Sequence, residues 1–259
     1  DFQLQPFLRR LFLDPAFYRE EVVGARVQGP IDFMVGLSRR LGTRVPPIVL
    51  GGGAAILGQR LFSPPSVKGW EEGESWISTA SLMQRGNLAG FVLGVVKVED
   101  VMSESDLDGP MVAGPPMDPI GEPKDPAGAD GGHPMVGDGK PTDVKRPKEG
   151  KGKGGGQGAQ ALQVLRRAEA SGWTATINFS SRMAKVGART DAEIADRMLD
   201  DVLAIRAPDD TRARMKAFLA HEREELKVPD GKLLEGAGSE RVLRRLAHLI
   251  LSLPEAQLE

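Results

Sequence analysis

A long stretch without aromatic residues divides the sequence and limits what it can fold into. No aromatic side chain occurs between Phe91 and Trp173. Within this interval, residues 101–158 hold 14 glycines and nine prolines, a share above the roughly 25–30% that marks low-complexity segments. Such a segment cannot bury enough apolar surface to offset its conformational entropy. We therefore predict a disordered insert at residues 99–158, between a helical part at 1–98 and a second helical part at 159–259 that packs back on the first.

The predicted insert carries its charges in two blocks. Residues 99–130 contain nine acids and one base, whereas residues 131–158 contain six bases and three acids. Charged linkers of this kind usually behave as solvated tethers. We interpret the insert as a tether, and the alternative is a docking site for a charged partner.

Apolar residues recur at helical spacing on both sides of the insert, with residues that favour helix starts and ends at the expected places. Asp32 falls early in one such segment, Arg39 and Arg40 fall late, and Gly42 follows, as the helix dipole and a left-handed cap favour. The predicted helices are one around residues 4–11, one beginning at Pro15, one from Pro30, and others at Pro47–Leu57, Thr79–Val95, Gln160–Ala170, after Thr190, after Asp209 and from Ser239 to Pro254. Residues 173–179 alternate between apolar and polar types, which predicts a short extended segment. The fold class is all-α, an irregular helical bundle.

Composition excludes several kinds of protein. The chain has no cysteine, which excludes disulfides, thiol catalysis and thiolate metal sites. The 34 basic and 36 acidic residues nearly cancel, so no overall field favours nucleic acid or a membrane surface. No apolar run approaches the roughly 18 residues that span a bilayer. We therefore expect neither a nucleic-acid partner nor a membrane span in this chain.

Motifs for known chemistry fail at the residues they require. The glycine-rich run Gly51–Arg60 has Gln59 and Arg60 after Gly58, where a phosphate-binding loop needs lysine and then Ser or Thr. The interpretation is a helix whose small residues let a neighbour pack closely. The acids after Glu104 imitate half of a calcium loop, but Pro115 stands where that loop needs a glutamate.

The histidines and serines give no better support for a reaction. His133, His221 and His248 lie in the insert and on two separate predicted helices, and His221 with Glu222, Glu224 and Glu225 is interpreted as a solvated helical face rather than a metal site. There is no G-x-S-x-G motif, although a triad assembled through space stays open. We therefore assign no catalytic residue, no cofactor and no metal ligand.

The remaining feature is the stretch LFSPPSVKGWEEGESWIS at residues 61–78, which holds two of the three tryptophans. Pro64 and Pro65 keep the chain extended and Gly69 permits a bend, so the segment predicts an irregular loop. One interpretation is a structural clamp, in which Trp70 and Trp76 bury their rings and fasten the loop to a helical core. The alternative is a ligand-binding loop in which an indole stacks on a sugar or a peptide.

The same residues resemble a known family. The segment from Leu57 to Ala89 is similar to the hallmark segment of the bacterial family catalogued as domain of unknown function 1800. The stretches LFLDPAFYRE, VQGPIDFMVGLSRRLG and LRRLAHLILSLPEAQLE look like helices of that family. The resemblance implies that the chain corresponds to the C-terminal half of the family domain. The matching positions are Gly58, Gln59, Leu61, Phe62, Pro64, Pro65, Val67, Gly69, Trp70, Trp76, Arg85 and Asn87.

What the resemblance implies about function is modest, since no activity is firmly attached to the family. Its members look helical, often carry export signals and are often encoded beside an exported partner protein. We expect a non-catalytic exported, periplasmic or envelope-associated module that binds a protein or polysaccharide partner. The alternative is an exported hydrolase whose catalytic residues lie partly in the family's N-terminal half. The candidate structural or recognition residues are Gln59, Pro64, Pro65, Gly69, Trp70, Trp76, Arg85 and Asn87.

Two observations would separate these expectations. Buried and hydrogen-bonded indoles would favour the clamp. Arg85 in a pocket facing a carboxylate, with a shifted pKa, would favour the hydrolase.

Overall fold

The fold is all-α, as the sequence predicts. The computed structural model describes residues 3–19, 21–101, 155–229, 231–236 and 238–259. Most of the predicted insert, residues 102–154, lies outside this range. The described part contains nine α-helices and no β-strand. The helices are α1 (Leu4–Leu13), α2 (Pro30–Arg40), α3 (Pro47–Ile56), α4 (Thr79–Leu93), α5 (Gly155–Ala170), α6 (Phe179–Lys185), α7 (Asp191–Val202), α8 (Asp209–Glu225) and α9 (Ser239–Leu251).

Glycines set the spacing of the first group of helices, in which α3 packs against α2 and α5. A Cβ built on Gly53 would lie 2.5 Å from the Met34 Cε, and one on Gly52 would lie 3.3 Å from a Val164 methyl. Larger side chains at these two positions would push the neighbouring helices apart. This confirms that the glycine run serves close packing.

The second group surrounds α9, which packs against α4, α6, α7 and α8. Its inward side chains Leu243, Leu246, Ala247 and Ile250 are completely buried. Because α5 follows the undescribed segment and packs on α3, helices from both sides of that segment share one apolar core.

Helix starts follow the local signals closely. The Thr190 hydroxyl accepts a hydrogen bond from the Glu193 N–H, and the Glu193 carboxylate accepts one from the Thr190 N–H, which confirms the predicted capping box of α7. Ser78 and Ser81 cap α4 in the same way. The helix predicted to begin at Pro15 is a single 3₁₀ turn, Pro15–Tyr18. The residues predicted to be extended, 173–179, alternate in burial but form no strand in the described part of the chain.

The N-terminal helix α1 differs from the others because its apolar side chains are exposed. Leu4, Phe7, Leu8 and Phe12 all lie at the surface, and no residue of α1 is buried. The apolar stripe therefore predicted the helix correctly, but nothing in the described structure covers it. No helix of the described ranges is long and apolar enough to cross a membrane.

Candidate functional site

The loop that the sequence singles out joins α3 to α4 and contains several left-handed backbone positions. Gly58 and Gly69 have φ angles of 94° and 100°, values that glycine adopts without strain. Phe62 has a φ of 60° although it is not glycine, and its side chain is 96% exposed. Pro64 and Pro65 are exposed as well. The loop therefore projects from the bundle rather than lying flat on it.

The C-terminal part of this loop faces the segment that leads into α2, and a cavity of about 690 Å³ lies between them. We call this cavity the tryptophan cleft. The residues lining it come from the loop and from the start of α2: Arg26, Val27, Gly29, Asp32, Gln59, Lys68, Gly69, Trp70, Glu71, Glu72, Gly73 and Trp76.

Gly29 shows how closely these groups converge. A Cβ built there would lie 3.2 Å from an Asp32 carboxylate oxygen, 3.4 Å from the Gln59 Oε1 and 3.9 Å from the Trp76 Nε1. Glycine at this position keeps the inner wall of the cleft free of a side chain.

Neither indole in the cleft behaves as a core residue. Trp70 and Trp76 are partly buried, and neither joins the side chains packed against the core, whereas Trp173 does. Among the described residues, neither indole N–H has a hydrogen-bond partner, and neither ring stacks on another ring. The rings therefore fit only part of the clamp interpretation: they touch the protein but are neither fully buried nor hydrogen-bonded to it.

Two other motif residues bind backbone atoms of neighbouring segments. The Gln59 side-chain oxygen accepts a hydrogen bond of 2.9 Å from the Ile31 N–H, an otherwise unpaired group in the first turn of α2. The Asn87 amide donates one of 2.9 Å to the Asp100 carbonyl. Gln59 thus fixes the cleft wall, while Asn87 ties α4 to the turn after it and does not line the cleft.

Arg85 lies behind the cleft rather than inside it. Its side chain is completely buried, donates hydrogen bonds to the Gln28 carbonyl (2.8 Å) and to the Gln257 Oε1 (3.2 Å), and lies 5.1 Å from the Phe33 ring centre. Burial lowers the pKa of Arg85 to about 10, so it stays protonated at neutral pH. No described carboxylate pairs with it. The arrangement that would favour a hydrolase is therefore not what the described residues show.

The wall that Arg85 supports is also held by the C-terminal residues. The Gln28 N–H donates 2.8 Å to the Gln257 carbonyl, and the Glu259 N–H donates 2.9 Å to the Arg26 carbonyl, which forms a short antiparallel pairing. The Gln28 side chain adds a bond of 3.0 Å to the Leu258 carbonyl. Residues some 230 positions apart therefore build one face of the cleft.

Of the residues singled out from the sequence, Gln59, Gly69, Trp70 and Trp76 line the cleft. The opposite wall, which contains Arg26, Val27, Gly29 and Asp32, was not predicted. Glu71 and Glu72 stand next to Trp70 in the sequence, and that adjacency was the available signal for their place in the cleft. Nothing in the local pattern around Arg26 indicates that it faces the loop.

The other cavities and the histidines give less support for a functional site. A cavity of about 660 Å³ beside α7 contains Asp196 and Asp200, but both pair with Arg212. In a third cavity His248 donates to the Gly86 carbonyl, and burial lowers its pKa. His221 is exposed. His133 and the acidic segment ending at Pro115 lie outside the described residues, within which no cluster of His, Cys, Asp and Glu could hold a metal ion.

Comparison with known proteins adds one finding. The family model described as "Protein of unknown function (DUF1800)" matches residues 1–258. No curated protein and no solved structure matches the chain significantly. The family match extends across regions where the motifs are weak, including the low-complexity segment.

Proposed function

We propose that this chain, which belongs to the DUF1800 family, is a non-catalytic binding module. Its tryptophan cleft binds part of a protein or polysaccharide partner. The observation that carries the proposal is the placement of Trp70 and Trp76. Both rings line an open cavity of about 690 Å³ instead of joining the core. Pockets of this size with aromatic walls and a few convergent polar groups are typical ligand sites.

The construction of the site supports recognition by a rigid surface. The Gln59 side chain, Arg85 and the C-terminal residues hold the wall by hydrogen bonds, so little ordering is needed when a ligand enters. Neither indole ring stacks on another ring or on a cation of the described residues, and their N–H groups, which have no partner there, can donate to a ligand. The proposal includes an exported or envelope-associated location, which rests on the family resemblance alone.

The test is a binding screen of the purified chain against a glycan array and a peptide array. Trp70→Ala and Trp76→Ala should each weaken any specific binding by at least about fivefold, since stacking on one aromatic ring contributes about 1–3 kcal/mol. Trp173→Phe is the matched control, because Trp173 packs near Phe91 at a ring distance of 6.1 Å and does not line the cleft. Its binding should equal that of the unmodified chain.

Thermal and urea unfolding of the same variants distinguish recognition from a clamp. A partly buried Trp70 predicts that Trp70→Ala loses about 2–3 kcal/mol of unfolding free energy, below the 3–5 kcal/mol typical of a fully buried ring. Arrays that yield no ligand, or ligands that Trp70→Ala and Trp76→Ala bind unchanged, would overturn the proposal. A loss of more than about 4 kcal/mol together with unchanged binding would establish the clamp instead.

A further inference from the structure

The charges of the tryptophan cleft indicate which ligand it takes. Arg26 contacts Asp32 at 3.2 Å and also pairs with Glu259, so the positive charge of Arg26 is already paired within the protein. Among the described residues, Glu71 and Glu72 form no ion pair, and neither does Lys68. The cleft therefore presents two unpaired carboxylates against one unpaired ammonium, beside two indoles.

Indole faces and unpaired carboxylates attract the same kind of group. The negative face of an aromatic ring favours a cation within about 6 Å, most strongly for tryptophan, and carboxylates add direct Coulomb attraction. In the described structure the cation–ring contacts involve Phe33 and Phe218, so no cation of the chain occupies the faces of Trp70 or Trp76. Neither indole of the cleft is therefore already paired with a cation of the described residues.

From this arrangement, and on the basis of the proposed function, we infer that the tryptophan cleft binds a lysine or arginine side chain within a basic peptide segment of a protein partner. A neutral sugar would stack on the rings and donate hydroxyl hydrogen bonds to the carboxylates, but it would gain no charge attraction from them. An acidic polysaccharide would be repelled by Glu71 and Glu72.

The loop beside the cleft favours a peptide over a free amine. Leu61, Phe62 and Val67 are exposed at 48%, 96% and 108% of their reference areas, on the same loop that contributes Trp70. Exposed apolar side chains on a loop that also lines a pocket are typical of protein interaction surfaces. A peptide can place its cation in the cleft and its apolar neighbours on this loop, which a small amine cannot do.

The experiment uses the whole chain and 12-residue peptides selected on an array. Each binding peptide is resynthesised with norleucine in place of its lysine, or citrulline in place of its arginine, so that only the charge is removed. Affinity is measured by fluorescence anisotropy at low and high salt. The neutral peptides should bind at least about tenfold more weakly, and the cationic ones should weaken as salt rises.

Variants of the acidic loop provide a matched comparison. Glu71→Gln combined with Glu72→Gln should lower the affinity about tenfold, which corresponds to roughly 1.4 kcal/mol. Glu74→Gln removes a carboxylate from the same loop but outside the cleft lining, and should leave the affinity unchanged. Lys68→Gln removes the competing ammonium and should strengthen binding several-fold.

Each result decides the inference. Neutral peptides that bind as well as cationic ones, a Glu71/Glu72 double variant that binds normally, or binding of neutral polysaccharides alone would overturn it. If such binding still required Trp70 and Trp76, the proposed function would be supported, but the inference of a cationic ligand would be wrong. Binding that no longer depended on either tryptophan, or the absence of any ligand, would overturn both.

Discussion

Replacing Arg85 tests the physical reasoning about the cleft most directly, because this buried cation binds oxygens that carry no formal charge. We expect Arg85→Lys, the conservative change, to destabilise the protein more than Arg85→Met. The reason is geometric: the planar guanidinium reaches the Gln28 carbonyl and the Gln257 side chain at once and lies beside the Phe33 ring.

The magnitudes follow from these contacts. Arg85→Met leaves two buried acceptors unpaired, at about 1–3 kcal/mol each. It also removes a buried charge whose pKa burial lowers to about 10, which relieves roughly 3 kcal/mol of desolvation. The net effect therefore lies between a gain of about 1 kcal/mol and a loss of about 3 kcal/mol, centred on a loss of about 1 kcal/mol. Arg85→Lys keeps the desolvation cost, leaves one acceptor unpaired and loses the ring contact, so its loss is about 2–4 kcal/mol.

The assay is urea unfolding followed by far-UV circular dichroism at pH 7.5, with slopes compared between variants. Arg241→Lys is the control, because Arg241 is exposed, and its stability should not change. The lysine variant carries a second signature. Burial lowers the pKa of a lysine in the folded state, so the Arg85→Lys variant should gain stability as pH rises from 7 towards 10.

An Arg85→Lys variant as stable as the unmodified protein would refute this reasoning. It would mean that charge alone matters at this position, as it would if a carboxylate faced Arg85. An Arg85→Met variant that loses more stability than Arg85→Lys would refute it equally.

Two further predictions concern the contact between α4 and α9, where His248 lies against Gly86 and Gly90. Gly90→Ala should cost about 1–3 kcal/mol of unfolding free energy, because a Cβ there would lie 2.3 Å from a Val96 methyl and 2.9 Å from the His248 Nε2. Gly51→Ala is the control, since the nearest atom to a Cβ at Gly51 is 4.0 Å away. It should be neutral or stabilising in the same denaturation assay. Burial lowers the pKa of His248. The stability that the neutral imidazole contributes is therefore fully present above the unfolded-state pKa of about 6.5, and it is lost as pH falls through the folded-state pKa. Melting temperatures from pH 7.5 to 5 should show a smaller decline for His248→Gln, and an unchanged decline would contradict the assignment.

Local sequence signals predicted most of the helices because their causes are local. The Thr190 capping box, Pro30 at the start of α2 and Gly42 after its end act within one or two turns of backbone. The single 3₁₀ turn at Pro15–Tyr18 shows the limit of such signals, since a cap and a proline begin a helix but do not extend it. The exposed stripe of α1 shows that periodicity reports a helix and not its burial.

Short-range patterns are enough to establish that this chain is helical, that an irregular loop joins α3 to α4, and that this loop holds two tryptophans together with acids. Where those side chains lie depends on contacts between distant segments. Tertiary packing brought Gln257–Glu259 against Arg26–Gln28, placed Arg85 behind that pairing, and left the indoles facing a cavity instead of the core. Contacts between residues so far apart in the sequence depend on how all the helices pack. The packing free energy that decides them cannot be read from a short-range pattern.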